Sequence, residues 1–189
     1  MKLQKLLMST VASCCILGAS GGAAMADGCG DGVLDNETFD GNLVVSDELS
    51  CSIIGSTIKG NLRIKDTANV LLLNNKVGGD VWVERTEGRA GIGVANVVAN
   101  TVFTGKIVVR EYATANVIEN ETLGGDIRVN GNTNALVQKN ISAGNLTCRA
   151  NTVLEGTHEC KAGTSVGVRR SGRGPAGRIW SHQCCIIER

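Results

Sequence analysis

A five-residue pattern recurs six times along the chain, and this repeat limits the folds that the chain can adopt. A glycine is followed by a variable residue and then by an apolar–any–apolar triplet, as in GDVWV at 79–83 and GDIRV at 125–129. The first residues of the six copies are Gly41, Gly60, Gly79, Gly105, Gly125 and Gly144. Their spacing is 19, 19, 26, 20 and 19 residues, so a period of 19–20 residues carries a single insertion. A fixed period of this length indicates a repeat architecture.

Each copy of the pattern predicts a short β-strand. When the repeated glycine is counted as position one, positions three and five are apolar in every copy, whereas position four varies from Arg63 to Trp82 to Thr147. This alternation is typical of a strand with one buried face. Later in each unit, an aliphatic-x-x-Asn pattern places four asparagines at equivalent positions. They are Asn75, Asn100, Asn120 and Asn140.

The length of the period determines how these strands connect. It is too long for one arm of a hairpin and too short for a strand–helix–strand crossover, and no stretch has the apolar spacing of a long helix. We therefore predict an all-β fold, a right-handed parallel β-helix (β-solenoid) of about six turns with 19–20 residues per turn. In such a coil the apolar columns form the core and the four asparagines form a hydrogen-bonded ladder at a bend. We expect the repeated glycines to adopt positive φ at a tight corner, which glycine does without steric cost.

The N-terminal segment predicts export. Residues 1–26 have two early lysines, an apolar run over 6–19 and a small-x-small sequence that ends at Ala26, which together are typical of a cleaved signal peptide. The alternative is a lipoprotein that is processed at Cys14, because a small-residue processing sequence precedes that cysteine. No later stretch has the apolar length of a transmembrane helix. We therefore expect a mature protein that is secreted or held in the cell envelope, in the periplasm or the extracellular space.

Charge divides the mature chain into a body and a tail. Residues 27–160 contain 11 Lys/Arg and 17 Asp/Glu, a net charge of −6, whereas residues 161–189 contain six Lys/Arg and one acid, a net charge of +5. The body, 27–160, holds the repeat and is the predicted β-helix domain, and the Gly/Arg-rich segment 161–189 is predicted to be a disordered tail. Arg-Gly segments can bind nucleic acids, but an exported protein rarely meets them, so we expect no nucleic-acid partner.

Six cysteines remain after cleavage, and an even number in an exported chain indicates disulfides. The terminal turns of a solenoid need caps, because they would otherwise expose the core and the strand edges. Cys29 and Cys51 flank the first turn, and Cys148 and Cys160 flank the last, so we predict the disulfides Cys29–Cys51 and Cys148–Cys160. Capped ends argue against end-to-end filaments, although the sequence does not define an oligomeric state. With no Cys-x-x-Cys pair and two histidines, the chain predicts no metal ion and no other cofactor.

The ordered set of motifs resembles a family of hypothetical secreted bacterial proteins. TFDGNLVV, LSCSIIGSTIKGNLRI, VGGDVWV, GGDIRV and GNLTC are similar to the repeated V-x-G-N-V/L-x-V turns of that family, and cysteines lie near both ends of the repeat. The resemblance covers residues 29–160. It implies export and a right-handed β-helix, and it supplies no activity and no catalytic residues.

The outward side chains of the predicted strands are the natural place for a ligand to bind. An exposed indole can stack on a sugar ring, and charged neighbours can bond the hydroxyl groups of the sugar. The candidates for polysaccharide contact are Arg63, Asp80, Trp82, Glu84 and Arg128. Asp80 and Asp126 could also form the carboxylate pair of a glycoside hydrolase. However, Lys106 lies between them and charges alternate in sign along each column, which indicates ion-paired ladders, so no catalytic residue is predicted.

The sequence therefore favours an exported, non-enzymatic β-helix with a structural or surface-interaction role that contacts extracellular or envelope polysaccharide. The alternative is a small polysaccharide-active lyase or hydrolase that acts on the same face. The insertion, residues 85–96, is either a functional loop on the repeat scaffold or a plain connection. Cys184 and Cys185 in the tail are expected to be oxidised or to cross-link chains.

Overall fold

The structure, a computed structural model, describes residues 29, 32–86, 92–155 and 167–169. In this part of the chain every regular element is a β-strand, and the strands pair in parallel. They form a β-solenoid of about six turns, which confirms the fold predicted from the repeat. No helix among the described residues has the length and apolarity needed to span a bilayer.

The first eighteen strands repeat one succession in each of six turns: a strand of three to five residues, a strand of two, and a strand of four. The strands are β1 (Val33–Asp35), β2 (Thr38–Phe39), β3 (Leu43–Ser46), β4 (Ser50–Ile54), β5 (Thr57–Ile58), β6 (Leu62–Lys65), β7 (Asn69–Leu73), β8 (Lys76–Val77), β9 (Val81–Glu84), β10 (Val94–Val98), β11 (Thr101–Val102), β12 (Ile107–Arg110), β13 (Thr114–Ile118), β14 (Glu121–Thr122), β15 (Ile127–Asn130), β16 (Asn134–Gln138), β17 (Ile141–Ser142), β18 (Leu146–Arg149), β19 (Val153–Glu155) and β20 (Gly167–Arg169).

Equivalent strands of successive turns stack into three sheets. Sheet A has the order β1-β4-β7-β10-β13-β16-β19, sheet B the order β2-β5-β8-β11-β14-β17, and sheet C the order β3-β6-β9-β12-β15-β18-β20. The register is in phase with the repeat, so that Ile107 lies opposite Val81 on one side and Ile127 on the other. Each position of the repeat therefore meets the same position of the next turn, and one packing solution serves the whole coil.

The core lies inside the coil and consists of stacked aliphatic columns from all three sheets. Positions three and five of every turn, the inward residues of sheet C, are at most 2% exposed. Sheet A adds a column that includes Leu72 and Val97, and sheet B adds Ile58, Val77 and Val102. Because each column continues from turn to turn, no single turn could bury its apolar face alone.

Two of the three corners in each turn contain a residue with left-handed backbone. The corner between sheets A and B has positive φ at Asn36, Gly55, Asn74, Ala99, Glu119 and Lys139. The corner between sheets C and A has positive φ at Asp47, Asp66, Glu111, Gly131 and Ala150. Most of these residues are not glycine, so the coil accepts a modest backbone cost at regular intervals.

The repeated glycines do not belong to these corners, and the expectation that they adopt positive φ was wrong. They lie at the third corner, where the backbone of one turn rests directly on that of the next: the amide of Gly60 donates to the carbonyl of Gly41 at 3.0 Å. A Cβ atom at Gly125 would lie 2.7 Å from the carbonyl carbon of Gly105 and 3.1 Å from the amide nitrogen of Lys106. Glycine recurs here because backbones approach too closely for any side chain.

The four asparagines of the predicted ladder are buried and stacked at the corner between sheets A and B. The side-chain oxygen of Asn120 accepts from the amide and the side-chain nitrogen of Asn100, both at 3.0 Å, and Asn140 does the same for Asn120 at 2.9 and 3.0 Å. Asn75 binds Asn100 in the same way, and Ser56 donates its amide to Asn75 at 2.9 Å. The ladder therefore satisfies backbone groups that the bend removes from the sheets.

Cys29 and Cys51 form a disulfide, with Cα atoms 5.5 Å apart, at the N-terminal end of the coil. Cys148 is buried in β18. Cys160 lies outside the described residues, so the pairing Cys148–Cys160 stays a prediction. The signal peptide, Cys14, Cys184 and Cys185 also lie outside them. Of the tail, the structure describes β20, which extends sheet C beside β18.

The insertion interrupts the corner between β9 and β10, and its residues 87–91 lie outside the described part of the chain. At its start, Arg85 is 6% exposed and donates to the carbonyl of Thr67 at 3.1 Å. Tyr112, at the same corner of the following turn, is fully buried, with its ring centroid 5.8 Å from the guanidinium carbon of Arg85. An arginine and a tyrosine thus fill the corner where the period breaks.

Candidate functional site

The outward face of sheet C carries the candidate residues predicted from the sequence. Positions two, four and six of each turn point away from the core, because side chains alternate along a strand. Trp82 on β9 lies opposite Arg63 on β6 and Val108 on β12. Arg128 on β15 is one strand further away, since it lies opposite Val108. The face is therefore an ordered grid of columns that run along the solenoid axis.

A shallow groove of about 360 Å³ crosses the first four turns of this face. Four of the five predicted contact residues line it, and Arg128 does not. The complete lining is Asn42, Val44, Asn61, Arg63, Asp80, Trp82, Glu84 and Arg110. Four of these residues were not among the predicted contacts, although they occupy the same outward columns: Asn42, Val44, Asn61 and Arg110.

Trp82 is half-buried and held on both its edge and its face. Its indole nitrogen donates to Oδ2 of Asp80 at 3.3 Å. The ammonium of Lys106 lies 4.8 Å from the ring centroid, a cation–π contact. Trp82 lines the groove, whereas Lys106 does not.

Glu84 links two arginines across three strands. Its carboxylate accepts from Arg63 at 2.6 Å and from Arg110 at 2.5 and 3.0 Å, and its side chain is 5% exposed. Burial alone would raise the pKa of Glu84, but the hydrogen bonds and charges of the two arginines outweigh it and hold the pKa below its ordinary value. Arg110 lies directly opposite Glu84 on the neighbouring strand, whereas Arg63 reaches the carboxylate diagonally from the other side.

Asp126 forms its ion pair with Arg128 of its own turn rather than with Lys106 in its column. Its Oδ2 accepts from Arg128 at 2.7 Å, and its Oδ1 accepts from the amide of Asn145 at 2.8 Å. Burial raises the pKa of Asp126, but the Asn145 hydrogen bond and the charge of Arg128 lower it by more. Asp80 forms an ion pair with Lys106 at 3.6 Å. All three acids of this face therefore have cationic partners, and the lowered pKa values of Glu84 and Asp126 are the opposite of the raised pKa that the general acid of glycoside hydrolysis requires.

A second polar ladder supports one edge of the groove. The side-chain oxygen of Asn42 accepts from the amide of Asn61, and that of Asn61 accepts from the amide of Asp80, both at 2.7 Å. Asp80 in turn accepts from the amide of Lys106 at 3.0 Å. This ladder fixes the carboxylate of Asp80 beside Trp82. The run of Asn and Asp at position two was the sequence signal for it.

The described residues contain no cluster of three or more metal-ligating side chains. No protein family, no curated protein and no solved structure matches this chain. The family resemblance carried by its repeat motifs therefore stays a prediction, and the groove has to be interpreted from its own chemistry.

Proposed function

We propose that this protein is an exported, non-enzymatic surface-interaction β-solenoid that contacts polysaccharide through the groove around Trp82. The observation that carries the proposal is the indole itself. The indole lines the groove, a hydrogen bond to Asp80 and a cation–π contact with Lys106 hold it in position, and Arg63 and Arg110 line the same groove. A fixed aromatic ring beside hydrogen-bond donors is a common arrangement for sugar recognition.

The alternative, a polysaccharide-active lyase or hydrolase, has less support from the same residues. The two acids that line the groove, Asp80 and Glu84, are both paired with cations. A general acid needs a raised pKa, whereas the arginines lower the pKa of Glu84. The chemistry of the groove therefore favours binding over bond cleavage.

The test is glycan binding by the oxidised, exported protein, compared between Trp82→Ala and Phe103→Ala. Phe103 is 44% exposed at the corner between sheets B and C and does not line the groove, so its replacement removes an exposed aromatic ring away from the proposed site. We expect Trp82→Ala to weaken binding by about tenfold or more, equal to about 1.4 kcal/mol, and Phe103→Ala to bind like the parent. Equal binding by all three proteins would contradict the proposal. Circular dichroism of each variant establishes that the fold is kept.

A further inference from the structure

We infer that the outer face of sheet C binds a linear anionic polysaccharide that lies along the solenoid axis. This inference rests on the proposed polysaccharide-binding function and specifies the charge and the direction of the ligand. It follows from the way in which charge is distributed over the faces of the coil.

Positive charge is concentrated on this face of an otherwise acidic coil. Positions two, four and six of the six turns hold six cations and three acids, a net charge of +3. The cations are Arg63, Lys65, Lys106, Arg110, Arg128 and Arg149. The rest of residues 32–86 and 92–152 holds four cations and nine acids, a net charge of −5. A polyanion is therefore attracted to one face and repelled by the others.

The paired arginines of this face are closer to solvent than their acids, whereas Lys106 and its partner Asp80 are about equally exposed, at 30% and 33%. The side chains of Arg63 and Arg110 are 54% and 46% exposed, whereas that of Glu84, which they share, is 5% exposed. Arg128 is 46% exposed against 22% for Asp126. Glu84 and Asp126 therefore lie deeper than their arginine partners, so a ligand contacts the guanidinium groups first.

The guanidinium groups retain capacity for a second carboxylate or sulfate. The contact with Glu84 employs one nitrogen of Arg63 and two nitrogens of Arg110, out of three in each group. A planar guanidinium can bind oxyanions through parallel N–H donors. Because two arginines share one carboxylate, their combined charge with Glu84 is +1.

The spacing of the cations determines the direction of the ligand. Successive turns are about 4.8 Å apart along the axis, and cations occur in turns two, four, five and six, with Trp82 in turn three. A polymer along the axis would meet one of these side chains at each of five successive turns. A polymer across the axis would leave the face at the corner that carries Asp47, Asp66 and Glu111.

The experiment compares two forms of one polymer, polygalacturonate and its fully methyl-esterified form, which has the same backbone without the charge. The parent protein is tested with Lys65→Gln/Arg149→Gln and with the control Lys59→Gln/Lys139→Gln. Within the described part of the chain Lys65 and Arg149 form no ion pair, so their replacement leaves the folded network intact. The control removes the same charge from exposed pairs elsewhere on the coil.

We expect polygalacturonate binding to weaken with rising salt. At about 150 mM salt, where charges act over about 8 Å, binding should weaken about fivefold to tenfold in Lys65→Gln/Arg149→Gln. In the control, Lys59→Gln/Lys139→Gln, it should weaken less than about twofold. Equal binding of the esterified polymer would overturn the anionic ligand and leave the proposed function standing. Equal losses in both variants would overturn the assignment to this face. Absence of polygalacturonate binding would overturn the anionic ligand, whereas the glycan comparison of Trp82→Ala with Phe103→Ala decides the proposed function. Equally tight binding of single-stranded DNA would replace polysaccharide by nucleic acid.

Discussion

The hydroxyl of Tyr112 donates a hydrogen bond of 3.1 Å to the carbonyl oxygen of Thr67, a residue 45 positions earlier and two turns away along the solenoid. The turn between them carries the insertion, and Arg85 at its start donates to the same carbonyl at 3.1 Å. One acceptor therefore joins three consecutive turns at the corner where the repeat is interrupted. The buried side chains of Arg85 and Tyr112 pack at this corner and stabilise the coil where the insertion interrupts the repeat.

Replacing Tyr112 tests this corner. Tyr112→Phe keeps the ring and loses the bond to Thr67, so we expect the free energy of unfolding to fall by about 1 kcal/mol. Tyr112→Ala also leaves a cavity and should cost about 3–5 kcal/mol. Urea denaturation followed by circular dichroism measures both. If the alanine variant were as stable as the parent, the corner would not depend on this side chain.

The same residue gives the protein a defined response to alkali. Burial raises the pKa of Tyr112 above its ordinary value of 10.0. The unfolded chain therefore releases this proton at lower pH than the folded chain, so the contribution of Tyr112 to stability should be constant below about pH 10 and fall as the pH rises further. Tyr112 is the one tyrosine of the chain, so tyrosinate absorbance reports it directly. Ionisation of Tyr112 near pH 10 in the folded protein would contradict its burial. The Tyr112→Phe variant should lose the part of the pH dependence of stability that arises from this hydroxyl.

Glu84 should matter for stability more than other acids of the surface. Glu84→Gln removes the buried charge that pairs Arg63 with Arg110, and we expect a loss of about 2–4 kcal/mol at neutral pH. Because the pairing lowers the pKa of Glu84 below 4.5, its contribution is present above that pH and is lost as the pH falls through the lowered value. The difference between parent and variant should therefore shrink in acid.

The matched control for Glu84 is Glu119→Gln. Glu119 pairs with Lys139 at 3.1 Å, but its side chain is 50% exposed. We expect this substitution to change stability by less than about 0.5 kcal/mol at any pH. If Glu84→Gln and Glu119→Gln lowered the free energy of unfolding equally, the burial of Glu84 would not strengthen its ion pairs with Arg63 and Arg110.

The repeated glycines should be intolerant of any side chain, for steric rather than conformational reasons. We expect Gly125→Asn to cost about 3 kcal/mol or more, because its Cβ would strike the rigid backbone of Gly105. Gly131→Asn is the control. Gly131 has φ of 68°, a value that asparagine adopts at low cost, and the nearest atoms to an added Cβ belong to the movable side chain of Glu111. Equal losses at the two glycines, measured by thermal unfolding, would refute the steric explanation.

The asparagine ladder should be weakened most by loss of a middle member. Asn120→Ala removes the acceptor for Asn100 and leaves the carbonyl of Val97 without its donor at 2.7 Å. We expect a cost of about 2–5 kcal/mol, since several buried polar groups lose their partners together. Asn116→Ala, which removes a single partly buried bond to Asn96, should cost about 1 kcal/mol or less. Differential hydrogen exchange at the amide of Asn100 would show whether the damage is local.

The sequence was sufficient to predict the coil, the inward columns and the asparagine corner, because each depends on one residue type at one position of the period. It was not sufficient for sheet B, since strands of two residues such as Thr101–Val102 are too short to show alternation. The role of the glycines was misassigned because a close backbone approach and a positive φ both favour glycine.

The site was partly predictable because each residue's position in the period determines the face on which it lies. These positions placed Arg63, Trp82 and Glu84 on one face, and all three line the groove. The diagonal hydrogen bond from Arg63 to Glu84 depends on the length and conformation of the arginine side chain. The period of the repeat does not indicate such contacts between columns. The burial of Tyr112 depends on the insertion in the preceding turn, so no regular repeat could indicate it.

The fluorescence of Trp82 during titration with a polysaccharide that binds the protein tests directly whether the ligand lies in the groove. The chain has two tryptophans, so Trp180→Phe makes Trp82 the one reporter. We expect a saturable change in the emission of Trp82, and protection of that emission from acrylamide quenching, over the concentration range in which binding is detected independently. Saturable binding that leaves both signals of Trp82 unchanged would place the ligand elsewhere on the protein and contradict the proposed site.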